Sequence, residues 1–183
     1  MDRWIKSYFM VLLGVLLLAG SSVALAKSAG EIDAGVDDAL KRFYKEVSTG
    51  KALAEKAVGM LVFPSILKAG FGIGGEYGEG ALRVGGKTVD YYSTAGASIG
   101  WQLGAQSKSV VMLFLTQAAL DKFRKSEGWK AGVDGSVAVL DAGVGEDVST
   151  LSAKSPIVAF VFSNKGLMYN LTLEGSKFTK IKR

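Results

Sequence analysis

Residues 61–86 read LVFPSILKAGFGIGGEYGEGALRVGG and hold eight of the chain's glycines. From residue 69 onward, apolar residues alternate with glycines. Because successive side chains of a β-strand point to opposite faces, this alternation predicts a strand with one apolar face and one face of bare backbone. Glycine inside a strand costs stability, so we expect a helix, an aromatic ring or a ligand to approach the bare face closely. The glycines assigned this structural role are Gly70, Gly72, Gly74, Gly75, Gly78 and Gly80.

The first 26 residues have the three parts of a secretory signal peptide: basic side chains, an apolar run at 8–19, and small residues with A-x-A spacing. This pattern predicts cleavage after Ala26, which leaves residues 27–183 as a single exported, periplasmic domain. The competing interpretation is a membrane anchor, but the run is shorter than the ~20 apolar residues that a spanning helix needs. The chain has no cysteine, which excludes a lipid anchor at the cleavage point.

The chain of 183 residues also has no histidine. These two absences exclude Ser-His and Cys-His nucleophilic catalysis, disulfides, and the commonest metal ligands. Acidic residues cluster at Asp134, Asp141, Glu146 and Asp147 without the spacing of an EF-hand, so we interpret them as solvated loop residues. The sequence therefore predicts no enzymatic activity, no metal site and no cofactor. The net charge of +5 is compatible with anionic partners but does not require them.

Two short motifs resemble catalytic or nucleotide-binding signatures. Residues 70–75 match G-x-G-x-x-G, but the glycines fall inside a predicted strand instead of opening a helix, so we reject a nucleotide site. Residues 96–100 match G-x-S-x-G, which needs a strand-to-helix turn and a histidine that the chain lacks. The tryptophans and tyrosines show no aromatic-and-basic pattern of nucleic-acid binding.

The order of elements predicts an α+β fold, with N-terminal helices packed on a mostly antiparallel sheet or a partly closed barrel. Apolar residues at helical spacing predict an amphipathic helix at 31–47, and a second helix follows at 51–58. The glycines at 78–80 and 85–86 predict turns, and Pro64 is expected to end a short strand. The remaining predictions are strands at 60–63, 68–77, 81–84, 88–92, 95–104, 109–115, 129–139, 157–163 and 167–174, a helix from Thr116 to Ser126, a hairpin turn at 164–166, and a basic C-terminal tail that forms an edge strand.

Four segments together resemble the SYLF domain family, which is also described through fungal actin regulators and as a lipid-binding domain. They are residues 57–82, 97–106 (ASIGWQLGAQ), 110–114 and 162–178, FSNKGLMYNLTLEGSKF. The resemblance implies a binding module and not an enzyme. Eukaryotic members are associated with phosphoinositides or acidic phospholipids and with actin, and their N-terminal amphipathic segment is implicated in membrane contact. An exported bacterial member would meet anionic lipids, whereas actin is not expected in that compartment.

The matching segment here is 31–47. We therefore expect headgroup contacts and partial insertion by this helix at an anionic phospholipid surface, with Lys41, Arg42, Phe43 and Lys45 as lipid-binding residues and Lys68 beside the glycine strand. On the residues alone, the same lysines also fit a solvated helix face, because Asp37 and Asp38 interrupt the positive charge. Two further interpretations remain open: a module whose glycine-faced sheet docks a protein partner, and a carrier that holds a small apolar ligand between the bare faces.

Overall fold

The computed structural model describes residues 26–141, 155–166, 173 and 175–183. Over these residues the helices pack on a curled, mostly antiparallel sheet that forms a half-barrel, which confirms the α+β class. The elements are, in chain order, α1 (Ala29–Glu46), α2 (Gly50–Ala54), β1 (Gly59–Val84), β2 (Lys87–Phe114), α3 (Gln117–Lys125), β3 (Trp129–Lys130), β4 (Ala138–Asp141), β5 (Ile157–Gly166) and β6 (Lys177–Ile181).

The sheet is built on one long antiparallel hairpin, in which β1 and β2 pair along nearly their whole lengths. Gly85 and Gly86 close the hairpin with φ angles of +56° and +78°, a region that glycine reaches without steric cost. Two strands pair with the other edge of β2: β6 with the first part of β2, and β5 with the last part. Strand β3 pairs with β6, and β4 runs parallel to β5.

Alternate residues of the hairpin belong to two separate apolar clusters, as strands covered on both faces require. One cluster lies inside the curl and packs against α3, and the other lies on the outside beneath α1. The inner cluster includes Phe63, Met112, Phe123, Trp129 and Phe178. The outer cluster includes Val36, Phe43, Val62, Phe160 and Phe162.

Helix α1 begins at a capping box formed by Ser28 and Glu31. The Ser28 hydroxyl oxygen accepts a hydrogen bond from the Glu31 backbone N–H at 3.3 Å, and the Glu31 carboxylate accepts one from the Ser28 backbone N–H at 2.7 Å. These bonds satisfy two amides that the helix leaves unpaired, and they hold the pKa of the Glu31 carboxyl below its ordinary value. The predicted amphipathic helix is thus confirmed, with its first residue two positions earlier.

Gly78 and Gly80 lie where β1 curls back over its own beginning. A Cβ atom at Gly78 would lie 2.8 Å from Ile66 Cγ1 and 2.9 Å from the Ser65 carbonyl oxygen, and a Cβ at Gly80 would overlap the Val62 carbonyl oxygen. The group that approaches the bare glycine face here is therefore the same strand. The predicted turn at these glycines is wrong, because β1 runs through them without a break.

Pro64 does not end the first strand, contrary to the prediction. It lies at an irregularity in the β1–β2 pairing between Phe63 and Ile66, where its missing N–H costs no ladder hydrogen bond. Its carbonyl oxygen accepts a hydrogen bond from the Ser109 hydroxyl at 2.7 Å. The predicted strands at 60–63, 68–77 and 81–84 are consequently parts of β1.

Four other boundaries differ from the prediction. The second helix ends at Ala54; the predicted strand at 129–139 is divided into β3 and β4; the predicted turn at 164–166 belongs to β5; and β6 is flanked by β2 and β3 instead of lying at an edge. Helix α3 has the predicted N-cap, because the Thr116 hydroxyl oxygen accepts from the Ala119 backbone N–H. Residues 142–147 of the acidic loop and most of the strand predicted at 167–174 lie outside the described residues.

Candidate functional site

The outward face of α1 and the segment after it carry exposed lysines and one partly exposed aromatic ring. Tyr44 is 42% exposed and packs against Phe43, with the ring centroids 5.4 Å apart. Tyr44, Lys51, Ala54 and Glu55 line a shallow cavity of about 430 Å³. Burial and the nearby Glu55 carboxylate raise the pKa of Tyr44, so its hydroxyl is neutral at physiological pH. We call this surface the basic patch; its residues are Lys41, Tyr44, Lys45, Lys51 and Lys56.

Of the acidic residues beside the basic patch, Asp38 and Glu46 have partners, whereas Glu55 lines the Tyr44 cavity without an ion pair among the described residues. Lys41 forms an exposed ion pair with Asp38 at 3.0 Å, and such pairs contribute little in water. The Glu46 carboxylate accepts hydrogen bonds from the backbone N–H and the hydroxyl of Ser163. Lys45, Lys51 and Lys56 make no ion pair with any residue that the structure describes, so their ammonium groups are available to an anionic surface.

The structure places the predicted lipid-binding residues in three different environments. Lys41 and Lys45 are exposed on the outward face of α1. Arg42 is half-buried, with its guanidinium carbon 5.8 Å from the centroid of the Phe162 ring and one nitrogen 3.5 Å from the Pro64 carbonyl oxygen. Phe43 and Lys68 are buried, so these five residues do not form one surface.

Phe43 lies in the outer cluster between α1 and the sheet. Its ring centroid is 5.4 Å from that of Phe160 and 5.6 Å from that of Phe162. Gly50, at the start of α2, fits against the same ring, since a Cβ there would lie 2.7 Å from Phe43 Cζ. The apolar face that the sequence offers to a membrane is therefore covered by the sheet.

A charged network also holds α1 on the hairpin. Arg83 of β1 lies 2.9 Å from the Asp37 carboxylate and 3.5 Å from that of Asp33. The hydroxyls of Thr88 and Tyr91 donate to Asp33 at 2.6 and 2.9 Å. These contacts link the first half of α1 to both strands of the hairpin, in addition to the apolar packing.

Lys68 occupies the inner face of the curl among polar groups. Lys68 is 8% exposed and lies opposite Gln106 in the β1–β2 register. Nearby on the same face, Lys108 pairs with Glu76 at 3.1 Å, and the Ser176 hydroxyl donates to Glu76 at 2.7 Å. Lys68 has no hydrogen bond or ion pair with the described part of the chain. Sequence alternation placed Lys68 beside the glycines, but its burial depends on the curl.

The remaining glycines of the structural set pair within the hairpin. Gly70, Gly72, Gly74 and Gly75 lie opposite Gly104, Gly100, Ser98 and Ala97 in the register. The ladder is irregular between Gly70 and Gly72. At Gly75 a Cβ would meet nothing closer than a carbonyl oxygen at 3.8 Å, so this position is open.

The described residues contain neither a grouped set of metal ligands nor a membrane-spanning helix. No group of three or more acidic side chains there is arranged to hold a metal ion. Asp134, from the predicted acidic cluster, instead accepts a hydrogen bond from the Lys130 backbone N–H at 2.6 Å. Among the same residues, no helix is both long and apolar enough to cross a bilayer.

Comparison with known proteins agrees with the resemblance seen in the sequence. The Ysc84 family model, described as "Las17-binding protein actin regulator", matches residues 95–183. Beta cell expansion factor A of Aeromonas veronii is 29% identical to this chain over 151 residues, which are 80% of the chain. The matched part is 55% of that relative, so the chain corresponds to about half of its length. The family expected from the sequence is thus the one whose model matches: residues 95–183 are similar to the Ysc84, or SYLF, family.

Proposed function

We propose that this chain is a non-enzymatic domain that binds anionic phospholipid surfaces through the basic patch, while α1 stays docked on the sheet. The observation that carries the proposal is the set of exposed lysines at 45, 51 and 56, unpaired among the described residues, together with the half-exposed ring of Tyr44, which lines a cavity with Lys51. Each lysine near an anionic membrane contributes ~1 kcal/mol, so these three and Lys41 together supply about 4 kcal/mol. Binding of this strength is weak and sensitive to salt.

The packing of α1 favours this peripheral mode over insertion of the helix. If α1 left the sheet for the bilayer, its own apolar face would be buried again in lipid, but the sheet beneath it would stay exposed to water. Leu113, Phe160 and Phe162 are buried there, and exposing them would cost about 1.5–3 kcal/mol each. The resulting cost of about 5–9 kcal/mol exceeds what the lysines supply.

The compartment is part of the same proposal. Residues 1–26 have the pattern of a cleaved leader, and the domain would then function in the bacterial envelope, where anionic phospholipids line both membranes. Actin is not expected there, although the family description names an actin regulator. A protein partner in the envelope is the alternative that the family description supports.

Co-sedimentation with vesicles tests the proposal. The chain is mixed with vesicles of phosphatidylcholine alone or with phosphatidylglycerol added, at low and high salt. The Lys45/Lys51/Lys56→Gln variant should bind anionic vesicles about 100-fold more weakly, because three contacts of ~1 kcal/mol are lost. The matched control, Lys125/Lys130/Lys177→Gln, removes the same charge from α3, β3 and β6 and should retain binding.

Two outcomes would overturn the proposal. Equal weakening of both variants would mean that net charge alone drives binding, without the basic patch. Absence of binding to any vesicle would remove the membrane-surface function and favour a protein partner or a carried ligand.

A second candidate function is a carrier of a phosphate-bearing lipid, favoured by Lys68. Lys68 is 8% exposed, and its ammonium group makes no hydrogen bond or ion pair with the described part of the chain, so it can accept an anionic partner. A lipid phosphate in the curl would supply the missing charge. Organic extraction of the purified protein followed by mass spectrometry should release a phospholipid from the wild type and not from a folded Lys68→Met variant. A wild-type extract without lipid would eliminate the carrier.

A further inference from the structure

Glu79 is a buried carboxylate at which three donors from distant parts of the chain meet. The residue is 5% exposed and lies in β1. Its Oε1 atom accepts from the Tyr77 hydroxyl at 2.7 Å and from a guanidinium nitrogen of Arg183 at 2.5 Å. Its Oε2 atom accepts from the backbone nitrogen of Lys27 at 3.2 Å. The carboxylate therefore joins the start of the described chain to Arg183, the residue that follows Lys182 beyond β6.

The backbone nitrogen of Lys27 is the atom that cleavage after Ala26 would release. The A-x-A spacing ends at Ala26, and the capping box of α1 begins at Ser28. Lys27 is thus fixed on one side by the helix cap and on the other by Glu79. Ala26 and Lys27 also line a cavity of about 280 Å³ together with Leu67, Tyr77 and Glu79, which leaves space around this nitrogen.

We propose that the bond between Ala26 and Lys27 is a processing site, and that the α-ammonium group created there forms an ion pair with Glu79 that secures the mature N-terminus. A signal peptidase adds water across this peptide bond: the hydroxyl goes to the Ala26 carbonyl carbon, which becomes a carboxylate, and the Lys27 nitrogen leaves as an amine. The ordinary pKa of an α-amino group is ~7.7–8.0, so the new amine takes up a proton at neutral pH.

Processing would change the strength of an existing contact without moving it. Before cleavage, Oε2 of Glu79 accepts from a neutral amide; afterwards it accepts from a cation. The carboxylate is ionised in both forms, so cleavage adds the Coulomb attraction of a positively charged donor at a site that is shielded from water. Arg183 is already paired with Oε1, so the ammonium becomes the second cation on a single buried acid. The mature form is therefore stabilised by its own maturation.

The inference rests on the leader in the proposed function, and its first experiment tests that leader separately. The full chain is expressed in a bacterium that exports it, and the periplasmic product is analysed by intact mass spectrometry. The expected product begins at Lys27. A product that begins elsewhere, or retains residues 1–26, would overturn both the processing site and the ion pair, whereas vesicle binding is measured independently.

The second experiment tests the ion pair in the processed protein. A glycine inserted between Ala26 and Lys27 leaves the A-x-A spacing intact, so cleavage yields a chain with the α-amine one residue away from Glu79. We expect this insertion to lower Tm by about 2–4 °C. In the Glu79→Gln background the same insertion should change Tm by much less, because the charged acceptor is absent. Equal shifts in both backgrounds would overturn the ion pair while leaving the processing site intact.

A chemical readout keeps the inference testable if Glu79→Gln does not fold. The group that contacts the Lys27 nitrogen is Glu79 on β1, whose other oxygen holds Tyr77 and Arg183, and the Lys27 side chain interacts electrostatically with Glu31 on α1. An amine paired with a buried carboxylate stays protonated and reacts slowly. At neutral pH an amine-reactive ester should label the α-amine of the processed wild type several-fold more slowly than that of the glycine-extended chain. Equal labelling rates would contradict the pairing.

Discussion

The curl of β1 leaves no room for a side chain at Gly80. A Cβ at this position would overlap the Val62 carbonyl oxygen and lie 2.8 Å from Phe63 Cδ1. The first of these atoms belongs to the backbone of the same strand and cannot rotate away. Gly80→Ala must therefore separate the two halves of β1 where the curl closes. Overpacking of a buried site costs about 1–3 kcal/mol, and this contact involves backbone, so we expect about 3 kcal/mol.

Thermal unfolding monitored by circular dichroism measures this cost. For a domain of this size, 1 kcal/mol corresponds to about 2–4 °C in Tm, so Gly80→Ala should lower Tm by about 6–12 °C. The matched control is Gly75→Ala in the same strand, where the nearest atom is 3.8 Å from the new Cβ. Gly75→Ala should leave Tm unchanged or raise it slightly, because alanine loses less backbone entropy than glycine. A Tm for Gly80→Ala within 2 °C of the control would refute the curl-closing role, since about 1 kcal/mol or less would then separate the sites.

Further predictions address packing and charge. Phe43→Ala should lower the free energy of unfolding by about 3–5 kcal/mol, whereas Tyr44→Ala should lower it by less than about 1 kcal/mol; similar losses in urea titrations would contradict the docking of α1. Glu76→Gln should cost about 3–5 kcal/mol, because it leaves the Lys108 ammonium buried without its partner; a Glu76→Gln protein as stable as wild type would argue against the pair. Burial raises the pKa of Tyr92 to about 12. Because the folded-state pKa lies above the unfolded value of ~10, the protonated hydroxyl stabilises the fold fully below pH ~10, and this stabilisation is lost as pH rises through about 12. Between these pH values the free energy of unfolding of Tyr92→Phe should therefore fall by about 2–3 kcal/mol less than that of wild type. An equal fall in both proteins would contradict this.

The N-terminal helix shows how much local sequence can predict. Helical spacing of Ile32, Val36 and Phe43 identifies the helix and its apolar face, and Ser28 with Glu31 forms the cap expected of such a start. The same spacing does not say what covers that face, because a membrane and a sheet both bury apolar side chains. In the structure the sheet covers the apolar face of α1, and the lysines on the opposite face remain exposed to an anionic surface.

The glycine strand shows where local reasoning fails. Glycine serves equally in turns and at close contacts, and the choice at Gly78 and Gly80 depends on a segment about fifteen residues earlier in the chain. Glu79, between them, has one local partner, Tyr77, but the Lys27 and Arg183 contacts come from far away along the sequence, and no local pattern predicts them. Long-range pairing of this kind depends on the curl of the sheet, and neither the strand repeat of two residues nor the helix repeat of 3.6 residues predicts it.

The most direct test of peripheral binding fixes α1 to the sheet. A Cβ at Gly35 would lie 3.3 Å from Pro64 Cβ, close to the ~3.5–4.5 Å between the Cβ atoms of a disulfide. Since the chain has no cysteine, the Gly35→Cys/Pro64→Cys variant can form only this bond within the molecule. The proposal predicts that the oxidised and reduced variants sediment equally with phosphatidylglycerol vesicles. Binding that appears only after reduction would mean that α1 must leave the sheet, and would contradict the proposal.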